Sequence, residues 1–127
     1  MICLDSDCII DFLKGKKEAV EIVEKHKSEL VTTEINVFEI FTGIFRKNKF
    51  NDEGITKNFF ESLDILSSSG FGEKAALIFT DLINDGKEIN QNDCMIASIL
   101  LTNGCNKIIT RNVKDFEKIK GLSIIRY

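Results

Sequence analysis

Short apolar runs alternate with longer segments of helical periodicity along the whole chain. Runs of aliphatic and β-branched residues predict strands at 2–5, 30–33, 64–66, 107–110 and 123–126. Apolar residues spaced by three and four positions predict helices at 7–14, 16–26, 35–46, 51–63, 72–85, 92–103 and 113–119. This alternation predicts an α/β fold with a mainly parallel sheet of about five strands and helices on both faces.

Two short polar stretches each follow a predicted strand. The first is Asp-Ser-Asp at 5–7, and the second is Thr-Arg-Asn at 110–112. Functional crevices of open parallel sheets lie outside the carboxyl ends of the strands. We therefore expect both stretches at one site. Charge at the end of a buried strand also requires a group that compensates it.

Asp93 belongs to the polar stretch NQND that opens the predicted helix 92–103. Backbone amides and the helix dipole stabilise a carboxylate at this end of a helix, so capping alone explains an Asp here. The residues that follow are apolar almost all round, which predicts a buried helix. Its acidic end is therefore expected to face a cleft.

Glu39 lies at the rim of a broad apolar arc on the predicted helix 35–46. A carboxylate at such a place needs water, a partner or a metal. Gly43, one turn later, removes side-chain bulk at a cost of about 1 kcal/mol relative to Ala, which indicates that space is needed there. The arc includes Phe38 and Phe41. Its breadth predicts that one part of the helix packs against the rest of the chain and that another part packs against a second subunit.

Together, these carboxylates predict a divalent-cation site. Asp5, Glu39, Asp93 and an acid or amide near the last helix would repel one another if they shared a pocket without a counter-charge. Oxygen ligands without His or Cys favour Mg²⁺ or Mn²⁺. Phosphodiester hydrolysis is the chemistry that most often uses such a site.

Composition fits one domain over residues 1–127, with 43% hydrophobic residues and a formal net charge of −3. No membrane span or secretory signal is predicted, so the expected location is the cytoplasm. The four cysteines form no CxxC pair and are predicted to be small buried apolar side chains and not zinc ligands. The acidic balance does not indicate nucleic-acid binding, but basic residues can still contact phosphates locally: Arg46, Lys47, Arg111 and Lys114.

Four blocks of the chain resemble, in order, the sequence pattern of PIN-domain nucleases of the VapC toxin type. ICLDSDCIIDFL is similar to their opening segment, and TEINVFEIFTG is similar to their internal helix with a Glu and a Gly. NDCMIAS is similar to their NDxxIAA helix, and IITRNVKDFEKIKGLSI to their closing segment. The resemblance spans nearly the whole chain.

The resemblance implies a single PIN-like domain with Mg²⁺- or Mn²⁺-dependent endoribonuclease activity. It also implies an RNA substrate, a homodimer, and a role as the toxin of a pair in which a small antitoxin inhibits the enzyme. By matching position, Asp5, Glu39 and Asp93 are expected to be catalytic metal ligands. Ser6 stands where the family often has Thr, and is expected to orient a ligand or phosphate.

Two positions depart from the family pattern. Asp7 stands where relatives often have Asn, and we favour a capping role for it over metal binding. Asn112 stands where many relatives have Asp, and Asp115 lies three residues later. We predict Asp115 as the fourth acid, while Asn112, Thr110 and Arg111 are expected to orient the substrate. The number of metal ions stays open.

Three other functions compete with this hypothesis. One is a PIN-like binding or assembly module without catalysis, and another is a housekeeping nuclease of RNA processing. A phosphatase of the haloacid-dehalogenase type is suggested by DSDCI, but Ile9 stands where that motif has Thr or Val. Metal titration distinguishes the non-catalytic module, a neighbouring reading frame for a small antitoxin distinguishes the toxin from the housekeeping nuclease, and phosphate release from a small phosphomonoester would indicate the phosphatase.

Overall fold

The computed structural model describes residues 1–127 and contains five strands and seven α-helices. The strands are β1 (Ile2–Leu4), β2 (Leu30–Thr32), β3 (Asp64–Ile65), β4 (Lys107–Ile109) and β5 (Ser123–Ile125). The helices are α1 (Ser6–Leu13), α2 (Lys17–His26), α3 (Glu34–Arg46), α4 (Glu53–Glu61), α5 (Phe71–Asn84), α6 (Gln91–Thr102) and α7 (Val113–Phe116). Short 3-10 turns precede β2 and α4 at Lys27–Glu29 and Phe50–Asp52.

All five strands are parallel and lie in the order β3-β2-β1-β4-β5. The central strand is β1, where Cys3 pairs with Val31 of β2 and with Ile108 of β4. The chain runs outward on one side through β2 and β3, and then crosses to the other side of β1 to form β4 and β5. The carboxyl ends of β1 and β4 therefore flank the topological switch point, where sheets of this kind bind ligands.

Residues along each strand alternate between two apolar layers, because successive side chains of a strand point to opposite faces. Ile2 and Leu4 pack in the layer formed with α1, α2, α3 and α4. Cys3 and Ile108 pack in the layer formed with α5, α6 and α7. Helices thus cover both faces, as predicted, and the carboxyl edge of the sheet is left open for polar groups.

The observed elements agree with the predicted ones, with larger differences at two helix ends. The predicted helix 51–63 starts with the 3-10 turn Phe50–Asp52, and its α-helical part begins only at Glu53. The predicted helix 113–119 ends at Phe116. The reason is that the amide of Ile119 donates to the carbonyl three residues back and not four, which is the tighter 3-10 spacing.

Helix α3 is covered on only part of its apolar surface. Ile40 and Ile44 are buried, whereas Phe38 is 61% exposed and Phe45 is 47% exposed. The exposed part of α3, which is expected to pack against another subunit, is not covered by the rest of the chain. Its packing against a second subunit stays a prediction.

Two predictions from composition concern cysteine chemistry and membranes. All four cysteines are buried free thiols, as predicted for small apolar side chains. None of the helices combines the length and the hydropathy that a transmembrane segment needs.

Candidate active site

Asp5 lies at the base of the cleft between the ends of β1 and β4. Its backbone N–H continues the sheet by donating to the Ile109 carbonyl at 3.1 Å, and its side chain is the N-cap of α1. Asp5 is only 6% exposed. One oxygen accepts from the Ser6 N–H at 2.9 Å and from the Asn36 amide at 3.1 Å, and the other accepts from the Thr110 hydroxyl at 2.6 Å.

The surroundings of Asp5 disfavour its charge. Burial has the largest effect, and the negative charges of Asp7 and Asp93 add to it, so that the pKa of Asp5 rises to about 7. Hydrogen bonds from Thr110 and Ser6 act in the opposite direction and are outweighed. Asp5 therefore ends the strand as a buried carboxylate whose charged form is disfavoured, although its hydrogen-bond partners partly compensate the charge.

Glu39 is joined to Asp5 through Ser6, whose backbone N–H donates to Asp5 and whose hydroxyl donates to Glu39. Ser6 Oγ donates to Glu39 Oε1 at 2.8 Å, and the Asn92 amide reaches Glu39 Oε2 at 3.4 Å. Helix α3 supplies Glu39 and helix α1 supplies Ser6, and the two helices pack against each other. Glu39 is partly exposed, so it forms one wall of the cleft.

Asp93 and Asp115 are bridged by Asn112. The Asn112 amide nitrogen donates to Asp93 Oδ2 at 3.0 Å and to Asp115 Oδ2 at 3.1 Å. Asp93 lies in the first turn of α6, as predicted. Burial first, and then the charges of Glu39 and Asp115, raise the pKa of Asp93 to about 6. The predicted neutral contact and the predicted fourth acid therefore lie on the same side of the cleft.

Asp7 uses its side chain to join α1 to the end of β4. Its Oδ1 accepts from the Cys8 N–H at 2.7 Å, and its Oδ2 accepts from the Arg111 N–H at 2.9 Å. The Thr110 hydroxyl lies 3.3 Å from the same Oδ2. Both oxygens thus accept from backbone amides, but the N-cap of α1 is Asp5 and Asp7 lies inside the first turn, so the capping role predicted for Asp7 is wrong. Its side chain instead ties this first turn to the segment after β4.

The guanidinium of Arg111 is bound to a carboxylate outside the cleft. It lies 2.6 Å from buried Asp11 and stacks 5.1 Å from the centre of the Tyr127 ring. Asp11 also accepts from the Tyr127 hydroxyl at 2.8 Å and pairs with Lys16 at 3.1 Å. Burial alone would raise the pKa of Asp11, but these three partners outweigh it and the pKa is lowered. We refer to Asp11, Lys16, Arg111 and Tyr127 as the Asp11 cluster.

The donor set of the cleft fits a hard divalent cation, because every candidate ligand is an oxygen. No three His, Cys, Asp or Glu side chains gather around a single point. Instead, the Asn112 amide and the Ser6 hydroxyl bridge the carboxylates. To bind an ion, the carboxylates would have to release the hydrogen bonds that they accept from Ser6 and Asn112.

The space beside Gly43 is part of a surface cavity and not of the carboxylate cleft. A Cβ at Gly43 would meet no atom within 4 Å, and this residue lines a surface cavity of about 290 Å³ between α1, α3 and α4. Glu39 does not line that cavity. The interpretation that Gly43 makes room beside Glu39 is therefore wrong, because positions 39 and 43 border different spaces.

Asn36 and Asn92 are the site residues that the sequence pattern did not reveal. Asn36 is fully buried, and it donates to Asp5 and to Ser6. The available signal was an amide on the apolar arc of α3, three positions before Glu39. A polar residue on a buried helix face is expected to have a specific partner.

A family comparison decides the class of the protein. The sequence model of a protein family described as "PIN domain" matches residues 2–122 of the chain. The chain belongs to the PIN-domain family. Ribonuclease VapC1 of Rickettsia felis is 26% identical to this PIN domain over 129 residues, covering 98% of the chain and 94% of the relative.

Solved structures share the fold of this PIN domain. The VapBC2 complex of Rickettsia felis, bound to a DNA fragment from its promoter, matches with a TM-score of 0.88 and 22% identity, covering 100% of this chain and 99% of that one. VapBC-1 of nontypeable Haemophilus influenzae matches with a TM-score of 0.83 and 25% identity, covering 99% and 98%. The resemblance stated from the four sequence blocks is confirmed.

Proposed function

We propose that this PIN domain is a Mg²⁺- or Mn²⁺-dependent endoribonuclease and the toxin of a toxin–antitoxin pair. The observation that carries the proposal is the placement of four carboxylates from distant segments at the switch point of the sheet, in two bridged pairs: Asp5 with Glu39 through Ser6, and Asp93 with Asp115 through Asn112. Two of them have raised pKa values, which is typical of groups arranged for function and not for stability. The match to a relative named as a ribonuclease supports the same chemistry.

The four carboxylates would hold the metal, and a bound divalent ion would activate water and stabilise the leaving oxygen of the phosphodiester. The other side chains keep these ligands in place. Thr110 holds Asp5, Ser6 and Asn92 hold Glu39, and Asn112 holds both Asp93 and Asp115. Loss of a residue that holds a metal ligand in this way usually lowers metal affinity or activity by about 10–100-fold.

RNA would approach across the partly exposed side of the cleft, where Glu39, Asp93 and Asp115 face solvent while Asp5 stays buried. Lys114 is exposed on α7, next to Asp115, and is suited to contact phosphate. Arg111 is half-exposed, but its guanidinium is shared with Asp11. We therefore assign it to holding the end of β4 as well as to the substrate contact predicted for it.

The proposed partners are a small antitoxin and a second copy of the chain, and the proposed location is the cytoplasm. Several structural relatives are VapBC proteins, and one is a toxin–antitoxin complex from Klebsiella pneumoniae, which supports an antitoxin partner. A housekeeping nuclease of RNA processing would share the same site. A reading frame for a small antitoxin beside the gene separates the two, because a housekeeping enzyme needs none.

The test is cleavage of total cellular RNA followed by end mapping. Purified chain is incubated with Mn²⁺, with Mg²⁺ or with a chelator, and Asp93→Asn and Asp115→Asn are compared with wild type. We expect discrete, metal-dependent ends that fall by at least about 100-fold in both variants. Asp85→Asn, an exposed residue after α5, is the matched control and should cleave like wild type.

Cleavage that persists in chelator, or that survives in Asp93→Asn, would contradict the proposal. Retention of full activity in Asp115→Asn, with loss in Asp93→Asn, would contradict only the assignment of the fourth acid. Wild type that neither cleaves RNA nor binds Mn²⁺ would favour the non-catalytic binding module.

A further inference from the structure

Asn36 contacts the buried carboxylate of Asp5 and the hydroxyl of Ser6, which in turn donates to Glu39. Its amide nitrogen donates to Asp5 Oδ1 at 3.1 Å and to Ser6 Oγ at 3.0 Å. Its amide oxygen accepts from the Thr33 hydroxyl at 2.6 Å. The side chain is fully buried, so water does not compete for these bonds. Both amide hydrogens and the oxygen therefore have protein partners.

The direction of the amide follows from its neighbours. Ser6 has one hydroxyl hydrogen and donates it to Glu39 Oε1 at 2.8 Å, so Ser6 can only accept from Asn36. Ionised Asp5 can only accept as well. On the other side, Thr33 caps α3 by accepting from the Asn36 backbone N–H at 3.3 Å, and its hydroxyl hydrogen is free for the amide oxygen. Rotating the amide by 180° would break all three side-chain bonds.

We propose that Asn36 is a positioning residue that sets the placement of Asp5 relative to Glu39, and through it the affinity of the cleft for a divalent cation. It acts on Asp5 directly and on Glu39 through Ser6. The inference rests on the proposed function, since it assigns a role to Asn36 only if these carboxylates bind metal. Asn36 itself is a donor in every contact with the cleft, and it is not a ligand.

A neutral donor suits this position better than an apolar or acidic residue. An apolar side chain would leave Asp5 Oδ1 with the Ser6 N–H alone, and would free the Ser6 hydroxyl to turn away from Glu39. A carboxylate would add another negative charge to a cleft that already holds several. The amide binds two groups without adding charge.

The test compares Asn36→Thr with Asn36→Val, which have the same shape and differ in one hydroxyl. Mn²⁺ affinity is measured by titration calorimetry, and kcat and KM are measured for RNA cleavage. We expect Asn36→Val to bind Mn²⁺ about 10–100-fold more weakly and to lose kcat by a similar factor, with little change in KM for RNA. Asn36→Thr, which keeps one donor, should recover part of both losses.

Thr56→Val controls for a general loss of stability. Thr56 is buried in α4, and its hydroxyl donates to the Asp52 carbonyl at 2.7 Å, outside the carboxylate cleft. This variant loses one hydrogen bond of a buried side chain, against the three that Asn36→Val loses, and we expect its Mn²⁺ affinity to equal that of wild type. Thermal unfolding without metal checks that each variant is folded.

Equal Mn²⁺ affinity in wild type, Asn36→Val and Asn36→Thr would overturn the inference while leaving the nuclease intact. Equal losses in the Thr and Val variants would also overturn it, because the hydroxyl would then have no effect. If Asn36→Val does not fold, Asn36→Thr alone is compared with wild type, and unchanged Mn²⁺ affinity overturns the inference. Wild type that neither binds Mn²⁺ nor cleaves RNA overturns the proposed function first, and the inference with it.

Discussion

Asp5 is the residue whose ionisation state links the site to the stability of the fold. It is almost fully buried, and its pKa is raised to about 7, mainly by burial and by the charge of Asp7. An Asp in the unfolded chain has its ordinary pKa, near 3.8. Between these two values the folded chain binds more protons than the unfolded chain, so stability must fall as pH rises across that range.

We predict that the metal-free protein loses stability between about pH 4 and pH 7 as Asp5 ionises in the folded state, by roughly 3–4 kcal/mol for Asp5 alone. Asp93, with a pKa raised to about 6, acts in the same direction. Urea unfolding of wild type and of Asp5→Asn over this range provides the measurement. The Asp5→Asn curve should be flatter, and parallel curves for the two proteins would contradict the prediction.

At the scale of elements, the Asp11 cluster holds α1 against the ends of β4 and β5. Asp11 lies on α1, Arg111 lies two residues after β4, and Tyr127 lies two residues after β5. The same helix carries Ser6 at its first turn and is capped by Asp5. The Asp11 cluster therefore fixes the element that positions two residues of the cleft.

We predict that Tyr127→Phe lowers the free energy of unfolding by about 1 kcal/mol, the usual net effect of one lost hydrogen bond. Asp11→Asn should lower it by more, about 2–3 kcal/mol, because it leaves Lys16 and Arg111 without a buried carboxylate. Urea unfolding at neutral pH measures both changes.

Lys17→Met, which removes an exposed ion pair with Glu21, should change stability by less than about 0.5 kcal/mol. Equal effects in all three variants would show that the Asp11 cluster is no stronger than a surface pair.

The sequence predicted elements better than it predicted the contacts between them. Apolar periodicity located every strand and helix, because burial on one or both faces determines that period. Resemblance and strand ends brought Asp5, Glu39 and Asp93 to one edge, and the structure places them there. Asn36 and Asp11 were missed, since a polar residue inside an apolar pattern does not reveal its partner. That partner lies on another segment, and only the folded chain brings the two together.

At the scale of the whole molecule, the exposed part of α3 is the feature that a single chain does not explain. Phe38 is 61% exposed on the same helix as Glu39. An exposed aromatic side chain is favoured at the buried core of an interface between proteins. This placement supports the homodimer that the sequence predicts.

We predict that Phe38→Glu shifts the protein from dimer to monomer, because a charge would be buried at the interface without a partner. Light scattering after size-exclusion chromatography gives the mass of each form. Ile55→Glu is the matched control, since Ile55 on α4 is equally exposed at 64%. A wild-type monomer, or dissociation in the Ile55 variant alone, would contradict the assignment of this face.

The order of the strands also has a consequence for synthesis of the protein on the ribosome. The central strand is made first, but its neighbour β4 and the Thr110 hydroxyl that holds Asp5 come 105 residues later. Asp115 is made later still. A chain still attached to the ribosome therefore lacks one side of its cleft until β4, Asn112 and Asp115 have been translated. If the proposed function is correct, a nascent chain in which Asp115 has not yet been made cannot cut the message that encodes it.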